Sequence, residues 1–213
     1  MMRRRGRWSH TMAPKPRSLI VCEGRCTEPN YFEGFRKENR NIIIKVCESP
    51  GKTPSQIVRH AISMADEMDI GKVPGDSAWC VFDVDECSDK DMRRAVQMAG
   101  ERLNLAISNP CFELWFILHY TYMDRRMDTC REALAELRLF MPGYDKSAEH
   151  FHRLRPMTAT AISNAQRLER GRAGRGYEVY DRDANPCTGV HRLVCAIDGR
   201  PKGESDRKVL GLE

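Results

Sequence analysis

The sequence has no apolar run approaching the roughly 20 residues of a membrane-spanning helix, which argues against a helical membrane protein. It has no Cys-x-x-Cys pair, and its nine cysteines are an odd number, so neither a zinc ribbon nor a closed disulfide framework is indicated. Cys22 and Cys26 have no second pair at metal-ligand spacing. Cys22, Cys47 and Cys80 end apolar runs and read as small hydrophobes, as expected of reduced thiols in a cytoplasmic protein. Met1–Arg17 lacks acidic residues and also lacks the apolar stretch of a secretory signal.

That basic start accounts for the apparent charge of the chain. Six of its 35 Lys and Arg residues lie in Met1–Arg17, leaving 29 against 30 acidic side chains elsewhere. The formal charge of +5 therefore belongs to a tail, and the rest is near neutral. Such a tail can attract phosphates without sequence preference, but its composition favours a solvated leader. With 41% hydrophobic and 31% charged residues, the remainder has the composition of a globular protein.

Strand and helix signals alternate through the first half. The apolar runs SLIVC (18–22), NIIIKVC (41–47), AWCVF (78–82) and LNLAIS (103–108) read as buried strands. Helices are expected from Thr27-Glu28-Pro29, from the capping box Thr53–Gln56, from Ser88, and through FELWFILHY after Asn109-Pro110. Four such units predict a parallel sheet covered on both faces. Beyond Asp124 no further clear strand is expected. The pattern becomes helical, with a capping box at Thr129 and Glu132, an arginine-rich stretch from Arg153 to Arg175, and a last helix over 190–197. The organisation expected is a basic tail (1–17), an α/β domain (18–123) and a helical appendage (124–213).

In open parallel sheets, ligands gather at the carboxyl ends of the strands. Glu23 follows the first strand and Asp83 and Asp85 follow the third. If the strand continues, residues two apart project to one side about 7 Å from each other. Carboxylates so placed repel unless a proton or a hard cation such as Mg²⁺ or Mn²⁺ neutralises them. The bland alternative for Asp83, Asp85 and Glu86 is a solvated acidic turn ahead of a helix; Glu23 shifts the balance toward a site. Gly24 allows a sharp turn or a close phosphate.

The acidic Glu-Gly at one strand end and the Asp-x-Asp at another resemble the TOPRIM pattern of topoisomerases, primases and related nucleases. More specifically, VCEGRCTEPNYFEGF, VFDVDE, SNPCFELWFILHY, GYDKS and NPCTGVHRLV, in that order, resemble the RloB-like family over roughly Ser18 to Ile197. The resemblance implies a TOPRIM-like (Rossmannoid) sheet of four parallel strands flanked by helices, with a C-terminal helical appendage. It implies a divalent metal on Asp83 and Asp85, Glu23 in the general acid/base position, and a role beside a partner ATPase in anti-phage defence.

Secondary candidates are Glu28, one turn beyond Glu23, whose other reading is a charge favouring the helix dipole; Glu113, set among Phe112, Leu114 and Trp115, where a buried carboxylate needs a partner; and Lys146 of GYDKS, a cation for a phosphate. The Arg153–Arg175 stretch, with Phe151 for stacking, reads as a phosphate-tracking surface or as a solvated helix face. His150 and His152 do not share a helix face and are expected to be ordinary core or surface residues. Three functions follow. The first is metal-dependent cleavage of a phosphodiester in DNA, RNA or tRNA. The second is a non-catalytic partner or sensor subunit of an ATPase complex whose acidic site is structural or vestigial, and the third is a phosphatase using Asp83 as nucleophile. Homo-oligomerisation stays open.

Overall fold

A computed structural model of the chain describes residues 13–84, 87–178 and 180–198. Along these residues run β1 (Arg17–Cys22), α1 (Thr27–Glu38), β2 (Ile43–Glu48), α2 (Pro54–Glu67), β3 (Ser77–Asp83), α3 (Asp89–Ala99), β4 (Asn104–Asn109) and α4 (Glu113–Tyr120). They are followed by α5 (Cys130–Phe140), α6 (Phe151–Leu154), a short 3₁₀ turn, α7 (Thr158–Ala173), β5 (Cys187–Thr188) and α8 (Val190–Ile197). The architecture is α/β, with a mixed five-stranded sheet in the order β2-β1-β3-β4-β5.

The first four strands are parallel, as their continuous apolar runs require, because both faces are covered. On one face Leu19, Val21, Cys80, Phe82 and Ile107 pack with Ile57, Ala61, Met92 and Ala95 of α2 and α3. On the other, Ile20, Cys22, Val81 and Ala106 share one cluster with α1, α4, α5, α7 and α8, so the C-terminal helices complete the core beneath the sheet. Alternation of adjacent strand residues between the two clusters follows from the two-residue period of a strand.

Local signals explain the helix starts. Thr53 N–H donates to Gln56 Oε1 at 3.3 Å in the capping box of α2, and Ser88 Oγ accepts from Asp91 N–H at 3.2 Å to cap α3. Helix α1 begins at Thr27, two residues earlier than Pro29, and proline inside the first turn removes no intrahelical bond.

The expectation of an all-parallel four-stranded sheet with no strand after Asp124 is corrected by β5. It pairs antiparallel with β4, Ser108 opposite Thr188 and Asn109 opposite Cys187. Two residues show no periodicity, so only their pairing defines them. Arg17 is also no part of a tail: it opens β1, and its guanidinium bonds Asp76 and the Met68 and Asp69 carbonyls.

Candidate functional site

Strand ends and two distant segments meet at the carboxyl edge of the sheet. Glu23 N–H donates to the Val81 carbonyl at 2.9 Å, extending the β1–β3 ladder one residue. Asp83 N–H then donates to Glu23 Oε2 at 3.1 Å. The structure thus brings Glu23 and Asp83 together; Asp85 and Glu86 lie outside the described residues.

Glu28 points back from the first turn of α1 and is buried, its Oε1 accepting from Gly24 N–H at 3.2 Å. A Cβ on residue 24 would stand 2.7 Å from Glu28 Oε1, so glycine makes room for this carboxylate. Burial raises the Glu28 carboxyl above its ordinary range, and the charge of Glu113 adds to the effect.

Glu113, at the start of α4, is also buried. Its Oε1 accepts from the Tyr144 hydroxyl at 3.0 Å and lies 3.2 Å from Lys146 Nζ, while the Cys130 thiol donates to Oε2 at 3.5 Å. Burial alone would raise this carboxyl, yet the Lys146 charge and its contact with Cys111 bring it below the ordinary value. Two neighbouring carboxyls are therefore driven in opposite directions, one toward the neutral form and one toward the charged form, an arrangement common where acid and base roles are divided.

The GYDKS segment reaches the site because it is clipped to α1: Thr27 Oγ1 donates to the Lys146 carbonyl at 3.5 Å and Asn30 Nδ2 to the Ser147 carbonyl at 3.0 Å. The NPCTG segment braces β4 from the other side. Asn185 Nδ2 donates to Asn109 Oδ1 at 2.9 Å and to the Met127 carbonyl at 2.6 Å, and Asn109 Nδ2 donates to the Arg182 carbonyl at 3.0 Å. Beside the end of β3, a cavity of about 390 Å³ is lined by Val84, Met92, Arg93, Tyr177, Tyr180 and Arg182 among others.

Several side chains at the site carry no sequence signal of their own. Lys52 Nζ donates to the Glu23 carbonyl at 3.3 Å, and Tyr144, Cys111 and Cys130 surround Glu113. Cys111, Glu113 and Cys130 offer ligand atoms within 4.8 Å of one another. Contact with Cys130, burial and the nearby charges of Glu113 and Asp83 all push the Cys111 thiol up.

The arginine-rich stretch does not form one phosphate-tracking surface with Phe151, which is fully buried in the core. Arg155 bonds Asp198 at 3.0 Å and Glu38 at 2.8 Å, and Arg172 is buried against the Pro186 and Asp124 carbonyls. Arg167 lies 3.8 Å over the Tyr122 ring and Arg153 donates to the Phe140 carbonyl. These four cations are engaged in holding the helical layer.

Fold and site together define an α/β protein with acidic residues at adjoining ends of parallel strands and a buried glutamate paired with a lysine at the start of α4. The family model for RloB-like protein matches residues 18–197, and the chain belongs to the RloB-like family. All five sequence blocks that carry the likeness converge on this edge of the sheet or brace it. No curated protein and no solved structure matches the chain. Among the described residues, no helix is long and apolar enough to cross a membrane.

Proposed function

We propose that this RloB-like protein is a TOPRIM-like, metal-dependent phosphodiester-cleaving enzyme. Its substrate is nucleic acid, and it acts in the cytoplasm as an effector of anti-phage defence beside a partner ATPase. The observation that carries the reading is the 3.1 Å bond from the Asp83 backbone N–H to Glu23 Oε2, which holds the Glu23 carboxylate against the end of the neighbouring parallel strand, where Asp83 stands.

The donor set suits a hard cation, since carboxylate oxygens are what Mg²⁺ and Mn²⁺ prefer. Glu23, Asp83 and Asp85 would hold the ion, which when bound supplies Lewis acidity toward a phosphoryl oxygen. Glu23 would move a proton to or from the reacting oxygen. Glu28 adds a buried carboxyl whose burial raises its pKa above the ordinary range. Lys146 supplies a cation that is half-exposed and can share its charge between Glu113 and a phosphate. Lys52 and Arg25 flank the opening, both pairing with Glu48. The neighbouring cavity offers the rings of Tyr177 and Tyr180 and the cation of Arg93, beside Asp181, Asp183 and the Arg182–Asp89 pair.

The test is Mn²⁺- or Mg²⁺-dependent cleavage of labelled single- and double-stranded DNA and RNA, including total tRNA. It compares wild type, Glu23→Gln and Asp83→Ala, with and without a neighbouring ATPase. Cleavage by wild type that both substitutions abolish is the expected result. Absence of cleavage under every condition, with ATPase binding by all three proteins, would move the assignment to a non-catalytic partner subunit.

A further inference from the structure

A second group of ligands sits beside the carboxylate edge, and its chemistry is different. Cys111 follows β4, Glu113 opens α4, and Cys130 is the first residue of α5; the cluster therefore joins three elements. Their ligand atoms all lie within 4.8 Å of one another, and Cys130 Sγ is 3.5 Å from Glu113 Oε2.

We infer that Cys111, Glu113 and Cys130 form a site for a borderline-soft divalent cation, Zn²⁺ above all, distinct in chemistry from the oxygen-only pair Glu23 and Asp83. Four observations carry this. First, the donors suit it: two thiolates and one carboxylate select Zn²⁺ over Mg²⁺, because sulfur is a poor ligand for the harder ion. Second, the 3.5 Å separation of Cys130 Sγ and Glu113 Oε2 matches that of two donors on one bound ion. Tetrahedral Zn²⁺, at about 2.3 Å from sulfur and about 2.0 Å from oxygen, separates its donors by roughly 3.5–3.8 Å.

Third, the two oxygens of Glu113 are divided between tasks. Oε1 is held by the Tyr144 hydroxyl and Lys146 Nζ, which fixes the carboxylate plane, while Oε2 faces Cys130 Sγ. Metal-ligating carboxylates are characteristically held by such outer partners. Fourth, the charges close: a dication, two thiolates, one carboxylate and the Lys146 ammonium sum to zero in a largely buried place, where an uncompensated charge is costly. Binding releases the two thiol protons to solvent, and no redox step is involved. Three protein ligands leave a fourth coordination position open.

Co²⁺ is the probe, added to the reduced full-length protein after anaerobic removal of reductant. The expected result is one equivalent bound, with a thiolate-to-cobalt charge-transfer band and the visible bands of a tetrahedral ion. Zn²⁺ bleaches both, and a large excess of Mg²⁺ does not. Cys130→Ser, at a half-exposed helix start, is expected to lose the charge-transfer band in a protein whose circular dichroism is unchanged. The double Cys111→Ser/Cys130→Ser variant is expected to lose it as well, and Tyr144→Phe to weaken Co²⁺ binding by about 10-fold. Glu23→Gln retains the band.

The inference is overturned by a wild type without the band, or by a band that persists in Cys130→Ser and so arises from other cysteines. A Cys111–Cys130 disulfide that mass spectrometry finds persisting in the metal-free protein after treatment with reductant would overturn it too. The readout needs no substrate, so failure of the cleavage assay and failure of this site are separate results.

Discussion

Lys146 Nζ lies 3.2 Å from Glu113 Oε1, and through that contact the GYDKS segment neutralises a carboxylate buried at the start of α4. The lysine is 55% exposed and the glutamate 3%, so the pair is asymmetric: the acid depends on the base more than the reverse. Lys146→Met should leave Glu113 buried without its cation and destabilise the fold by about 1–2 kcal/mol, the exposure of Lys146 limiting the effect. Glu113→Gln in the Lys146→Met background should recover part of that loss, since the neutral side chain needs no counter-charge. Urea unfolding of the four proteins in a double-mutant cycle measures the coupling.

The room that Gly24 leaves for Glu28 gives a second prediction. Gly24→Ala drives a methyl into the Glu28 carboxylate, which is buried and has little space to retreat. Nucleic-acid cleavage should fall at least about 10-fold with a Tm change of only a few degrees, because the displaced group belongs to the site and the strand pairing of β1 is untouched. A loss of Tm large enough to unfold the protein at the assay temperature would show that the glycine serves the backbone instead.

A third expectation concerns acid. His119 is buried, its ring Nδ1 2.9 Å from the Trp115 carbonyl and its Nε2 3.5 Å from the Tyr31 hydroxyl. The first contact makes Nδ1 the donor and leaves Nε2 to accept. Burial lowers its pKa from 6.5 to about 4, so the unfolded chain binds more protons than the folded one between those values. The stability contributed by neutral His119 is present above 6.5 and is lost as pH falls toward 4. His191, lowered over the same interval, acts in the same sense. Replacing His119 with Gln should reduce the slope of unfolding free energy against pH across this window. Chemical denaturation at several pH values reads the difference between the two proteins.

Metal linkage supplies a fourth. Mn²⁺ binding to the native carboxylates should raise Tm as its concentration rises, since a ligand bound to the folded form alone stabilises it. Glu23→Gln and Asp83→Asn should each abolish the shift, whereas Arg167→Ala, far along α7 and stacked over Tyr122, should keep it. Differential scanning fluorimetry with EDTA-treated protein tests this. Equal shifts in all four proteins would place the ion elsewhere.

Much of the sheet was legible because buried parallel strands are apolar throughout and three of the helices announce their starts. Thr53 with Gln56, Ser88 and Thr129 all cap the helices expected of them. Glu23 and Asp83 were legible for a related reason: a charged residue that ends an apolar run at a strand's carboxyl end stands where a sheet offers a site. Other parts left no pattern. Strand β5 is two residues long and exists because Ser108 and Thr188 meet and Asn185 ties Asn109 to Met127. The arginines after Arg153 suggested a surface for phosphates, but their partners lie far away in sequence, as Arg155 with Glu38 shows.

The amino-acid sequence by itself determined the βα repeats, the apolar run that leads into Asp83, the Glu-Gly that follows the first strand and the family to which these blocks belong, because each is written in local period or contiguous motif. Tertiary structure alone decided which charges neutralise which. Glu28 and Glu113 take opposite protonation tendencies, and Cys111 and Cys130 come together around a carboxylate, through packing of α1, α4 and α5 against one face of the sheet. The physical reason is that burial and Coulomb interaction depend on distance in space, and residues separated along the chain acquire that distance only when the core closes.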